Sequence, residues 1–103
     1  MKPSKSGEDN ISLKLSEEAV ADIISKIVEE INEIRLAQTE PIIVKKEEDG
    51  LGFEVSLRLK LKAWLPVPEV GPEIQKKIAE AFKLNSGFEL TKINIDFTNY
   101  FED

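Results

Sequence analysis

Residues 53–65 read Phe-Glu-Val-Ser-Leu-Arg-Leu-Lys-Leu-Lys-Ala-Trp-Leu. Phe53, Val55, Leu57, Leu59, Leu61 and Ala63 fall on one side of an extended chain. Glu54, Ser56, Arg58, Lys60, Lys62 and Trp64 fall on the other. Successive side chains of a strand point to opposite faces, so this alternation predicts one long strand. One of its faces lies in a core; the other meets water or a partner. That outer face gathers three cations and an aromatic, although the chain as a whole carries a formal net charge of -6.

Immediately upstream, residues 47–52 (Glu-Glu-Asp-Gly-Leu-Gly) predict a turn in which Gly50 and Gly52 supply the positive φ of a hairpin. Residues 42–46 then form the partner strand. Three acidic residues beside glycine evoke calcium, but the loop is too short for the ligand spacing of an EF-hand. Residues 35–40 read as a connection ending at Pro41.

Farther back, Ser16 is a good N-cap, because its hydroxyl accepts from an unpaired N–H of a first helical turn. Glu17 and Glu18 follow, at the end of the helix dipole that favours them. Val20, Ile23, Ile24, Ile27, Val28, Ile31 and Ile34 recur at spacings of three and four, the mark of an amphipathic helix. The acidic residues on its other side, Asp22, Glu29, Glu30 and Glu33, read as a solvated face. Residues 11–15 alternate and predict a short strand. Residues 1–10 read as a polar N-terminal tail.

Downstream, Pro66 and Pro68 stop the long strand, since proline donates nothing to a ladder. Gly71-Pro72 is placed to open a second helix, with Val70, Ile74, Ile78, Ala81 and Phe82 as its apolar stripe. Gly87 suits a left-handed C-cap. Residues 90–97 predict a last strand with Ile93, Ile95 and Phe97 inward and Lys92, Asn94 and Asp96 outward. Residues 99–103 read as a C-terminal tail.

The expected fold is therefore a single α+β domain over residues 11–98, in the order β-α-β-β-α-β. Two helices with single apolar stripes bury them on one face of a largely antiparallel or mixed sheet, in a ferredoxin-like or related strand order.

The composition narrows the chemistry. Without cysteine, disulfides and thiol catalysis are excluded, and without histidine the commonest general base and zinc ligand are missing. No glycine-rich loop has phosphate-cradling spacing, and no Ser or Thr has a base beside it in sequence. The expectation is a non-enzymatic protein with no cofactor and no metal site. No run of about 18 apolar residues is present, and residues 1–10 lack the apolar stretch of a signal peptide, which points to the cytoplasm.

Arg58, Lys60, Lys62 and Trp64 are the candidate partner-binding residues. Charges spaced about 7 Å apart along a strand suit a solvated sheet face that resists edge pairing. The same spacing suits a docking surface for acidic protein, anionic headgroups or phosphates. A lone tryptophan is too few for the multi-base platform of an RNA-binding sheet.

Several stretches together resemble the alkaline-shock-protein (Gls-type) family of bacterial envelope stress-response proteins. They are Ile11-Ser-Leu-Lys-Leu-Ser16 before the Ile-rich helix, and the alternating strand ending at Trp64. To these add Val67-Pro-Glu-Val-Gly-Pro-Glu-Ile-Gln75, Ser86-Gly87-Phe88 and Leu90-Thr-Lys-Ile-Asn-Ile95. The chain departs from the family where Gly-Val often follows the first helix, having Ile34-Arg-Leu-Ala37 instead. It also has Leu65 where glycine often follows the strand-ending aromatic. The resemblance implies a divergent member: a cytoplasmic scaffold or interaction protein, peripheral at the cytoplasmic face of the membrane, that self-associates or docks on a membrane-anchored protein partner. The alternative is a nucleic-acid-binding module that uses the basic stripe, against which the acidic total already weighs.

Overall fold

The structure, a computed structural model, describes residues 15–37, 42–48 and 52–102. The strand expected over residues 11–15 and the tail over residues 1–10 lie, apart from Leu15, outside them. The first element is α1, Glu17–Glu30. The Ser16 hydroxyl accepts from the Ala19 N–H at 3.1 Å, which closes its first turn as the residue types foretell. Ile31 leaves the helix in an extended conformation while its N–H still donates to Val28.

The chain then enters the sheet sooner than expected. Ile34–Leu36 forms a short strand, β1, where periodicity assigned Ile34 to the helix and residues 35–40 to a connection. Ile34 is buried opposite Leu61, a position that serves a strand as well as it would serve a helix stripe. β2 is Ile43–Lys46, and β3 is the long strand, Gly52–Lys62.

α2 runs over Val67–Ser86 and so begins a turn before Gly71-Pro72. Pro66 caps it and Pro68 lies in its first turn, where a missing N–H leaves no bond unmade. The helix continues through Pro72. Gly87 ends it with φ 80 and donates its N–H to the Lys83 carbonyl at 2.8 Å, as its residue type predicts. β4, Glu89–Phe101, is longer than the strand expected over residues 90–97, so residues 99–101 belong to the sheet and not to a tail.

β4 lies parallel along β3 from Gly52 to Lys62 and so occupies one whole edge of it. β1 and β2 are both antiparallel to β3 and share its other edge, β1 at Leu59–Leu61 and β2 at Phe53–Ser56. The sheet is mixed, and α2 is the crossover that a parallel pair requires. A ferredoxin-like order would set another strand between β3 and β4. Their direct pairing makes this one of the related orders.

One core holds the fold together. Val20, Ile24, Ile27 and Val28 of α1 and Ile74, Ile78 and Phe82 of α2 meet Phe53, Val55, Leu57, Leu59 and Leu61 of β3. Phe53 packs edge-on against Phe82 and Phe88, with centroids 6.3 and 5.8 Å away. Gly52 was expected to supply positive φ but does not. Its need is space: a Cβ there would come within 2.5 Å of the Thr91 methyl. Among the described residues no helix is long and apolar enough to cross a membrane.

Candidate functional site

The side of β3 away from the helices is crossed by rows of paired residues. Lys45, Glu54 and Lys92 make one row, and Ile43, Ser56 and Asn94 the next. Then come Arg58 beside Asp96, and Arg35 with Lys60 and Asn99. Lys62 beside Phe101 closes the series. Its first half sets Lys45 and Lys92 on either side of Glu54, and the Asn94 side-chain amide donates to the Glu54 carboxylate at 3.1 Å and to the Ser56 hydroxyl at 3.3 Å. Its second half holds Arg35, Arg58, Lys60 and Lys62. Positive charge is therefore concentrated at the C-terminal end of β3.

Of the four residues nominated from sequence, three lie together on this face. Arg58 and Lys62 are exposed and Lys60 is half-buried. Arg58 shares its row with Asp96, which offsets one cation. Arg35 of β1 adds one in turn, so this end keeps the positive charge that the stripe implied.

Trp64 does not continue the stripe. β3 ends at Lys62, and the Leu65 N–H donates back to the Lys62 carbonyl at 3.3 Å. Trp64 is the third residue of that turn, with φ 71. Glycine is the usual residue where a turn demands positive φ, so a tryptophan there carries backbone strain of roughly 1–3 kcal/mol. Trp64 is 86% exposed, and its ring stacks on Tyr100 with centroids 6.2 Å apart and planes 29° apart.

A shift of register puts Tyr100 there. Leu59 pairs with Phe97 but Lys60 pairs with Asn99, so β4 passes over Thr98. One extra residue inverts the facing of everything after it. Tyr100 takes the position opposite Leu61, and Phe101 comes up beside Lys62 on the outer face. The Arg35 guanidinium lies 4.4 Å over the Phe101 ring, a cation–π contact. Sequence reasoning missed Arg35, Tyr100 and Phe101. Only the aromatic Tyr100-Phe101 pair marked the tail as more than solvent-exposed chain.

A shallow cleft of about 570 Å³ adjoins this end. The last turn of α1 and β1 form its walls, and Glu29, Asn32, Arg35 and Lys62 give it polar character. Among the described residues no cluster of acidic side chains is arranged as metal ligands. Among the described residues a perturbed titrating pair lies elsewhere, between the end of α2 and the start of β4. Lys83 bonds Glu89 at 2.8 Å, and this hydrogen bond and the attached charge raise the Lys83 pKa and lower that of Glu89.

Compared with family models, with curated proteins and with solved structures, the chain matches none.

Proposed function

We propose that this chain is a non-enzymatic interaction protein that captures a protein partner on the basic end of its open sheet face. The observation that carries the reading is the grouping of Arg35, Arg58, Lys60 and Lys62 with Phe101 on a face the two helices leave uncovered. Cations beside an aromatic suit an acidic partner segment: charge steers the encounter and the ring anchors it.

Trp64 supports the same end of the molecule. A large aromatic held at positive φ, 86% exposed despite its stack on Tyr100, costs backbone strain for little buried surface. Such a cost fits a contact made with something else. The resemblance to the alkaline-shock-protein family gives the reading its setting: an envelope stress-response scaffold in the cytoplasm, self-associating or docked on a membrane-anchored partner. The nucleic-acid reading is weaker, because Asp96 sits beside Arg58 within the stripe.

The test is affinity capture from solubilised membranes and cytosol, with wild type beside Arg58→Glu/Lys60→Glu/Lys62→Glu. The expected result is a membrane protein with an acidic cytoplasmic segment that binds the purified chain directly and is lost with the variant. Recovery of nucleic acid, with affinity falling steeply as salt rises, would establish the alternative instead.

A further inference from the structure

Among the described residues β4, a 13-residue strand, pairs only with β3, and no described strand runs along its second edge. Strand edges of that length are commonly blunted or covered, because they present a row of unpaired N–H and C=O groups. The apolar residues along it are incompletely buried. Val55, Leu57 and Leu59 are 0–2% exposed, whereas Ile93, Ile95 and Phe97 beside them in register are only half-buried.

Hydrogen bonding shows which groups face the edge. The Gln75 side-chain amide, itself exposed, donates to the Ile93 carbonyl at 3.1 Å. A carbonyl turned toward β3 lies inside the ladder and accepts from β3; one reached by an exposed side chain of α2 points to the second edge. Backbone groups alternate along a strand, so the N–H and C=O of Ile93 and Ile95 both face outward. The Ile93 oxygen keeps a second lone pair for a further donor.

We propose that β4 pairs antiparallel with β4 of a second copy of this chain, about a two-fold axis at Asn94. In that register Ile93 stands opposite Ile95 of the other copy and exchanges both backbone hydrogen bonds with it. On the outer face Lys92 stands opposite Asp96, and the two-fold repeats the pair. Neighbouring registers lose this match. Centred on Ile93, Lys92 meets Asn94; centred on Ile95, Asn94 meets Asp96. Self-complementary charge thus selects one symmetric pairing, which is what an isologous interface requires. The half-open Ile93 and Ile95 side chains gain apolar neighbours, and two sheets become one. The outer faces join, with two basic ends set at opposite extremes. This gives the self-association in the functional reading a location, and rests on that part of it alone; docking on the β3 stripe can fail without it.

Sedimentation velocity of the full chain over a concentration series, with Lys92→Asp and Asp96→Lys, tests the pairing. Each variant alone sets like charges opposite one another twice. It should weaken association by about tenfold or more. Mixed, the two variants restore Lys–Asp pairs in both positions and should form a heterodimer at concentrations where each alone is monomeric. A folding defect cannot produce a gain on mixing. Wild type that stays monomeric to its solubility limit, or variants that associate like wild type and show no preference for each other, would overturn the proposal.

Discussion

The two sides of β3 are made by alternate residues of one strand, yet they answer to different demands. On the helix side, Phe53, Val55, Leu57, Leu59 and Leu61 are all 0–2% exposed and held by both helices. On the other, Glu54, Ser56, Arg58, Lys60 and Lys62 are exposed or half-buried, and their neighbours are mostly polar. Truncating a residue on the first side leaves a cavity. Changing one on the second alters charge with little loss of packing. Packing and surface charge are thereby divided across a sheet one layer thick, so the charged face can change without unmaking the fold.

The comparison is broken most severely by Phe53→Ala. The ring fills the space between Phe82 and Phe88, and its loss should cost roughly 3–5 kcal/mol by chemical denaturation. A loss below about 1 kcal/mol would mean that this side is not the tightly packed one.

Gly52→Ala comes next. The new methyl meets the Thr91 side chain at the start of the β3–β4 pairing, a clash worth roughly 1–3 kcal/mol. Adding Thr91→Ser removes the offending methyl and should recover much of the loss. Failure to recover would place the strain in the backbone instead.

The smallest effect is expected at the Lys83–Glu89 pair. Glu89 has a lowered folded-state pKa, so its contribution is present above the unfolded value and lost as pH falls through the folded one. Lys83 is raised, so its contribution is present below its unfolded value and lost as pH rises through the folded one. Both groups are exposed and screened by solvent. Lys83→Ala should leave the melting temperature at neutral pH within experimental error. A clear drop would show that this surface pair holds the end of α2 against β4.

Much of this division was legible in advance. Period-two alternation over residues 53–62 survives any local detail, and it assigned every one of those side chains to the correct side. The same logic failed where a local event was too short or too irregular to leave a pattern. β1 is three residues long, and Ile34 fits a helix stripe as well as a strand. The start of α2 was hidden because prolines that end a strand also suit a first helical turn. The shift at Thr98 inverts the facing of Tyr100 and Phe101, which alternation carried forward would have reversed. Of the candidate site, the three cations of β3 were visible. Their neighbours Arg35, Asp96 and Phe101 come from other strands, and only register brings them together.

The most direct test sets two changes to the same strand side by side, Leu59→Ala and Arg58→Glu/Lys60→Glu/Lys62→Glu, reading thermal melting and partner capture for each. If the two faces are divided as described, Leu59→Ala lowers the melting temperature steeply and still captures the partner below its melting point. The triple variant, which sets a carboxylate beside Asp96, melts somewhat below wild type but well above Leu59→Ala, and captures nothing. A triple variant that remains folded and still holds the partner would contradict a binding role for this face.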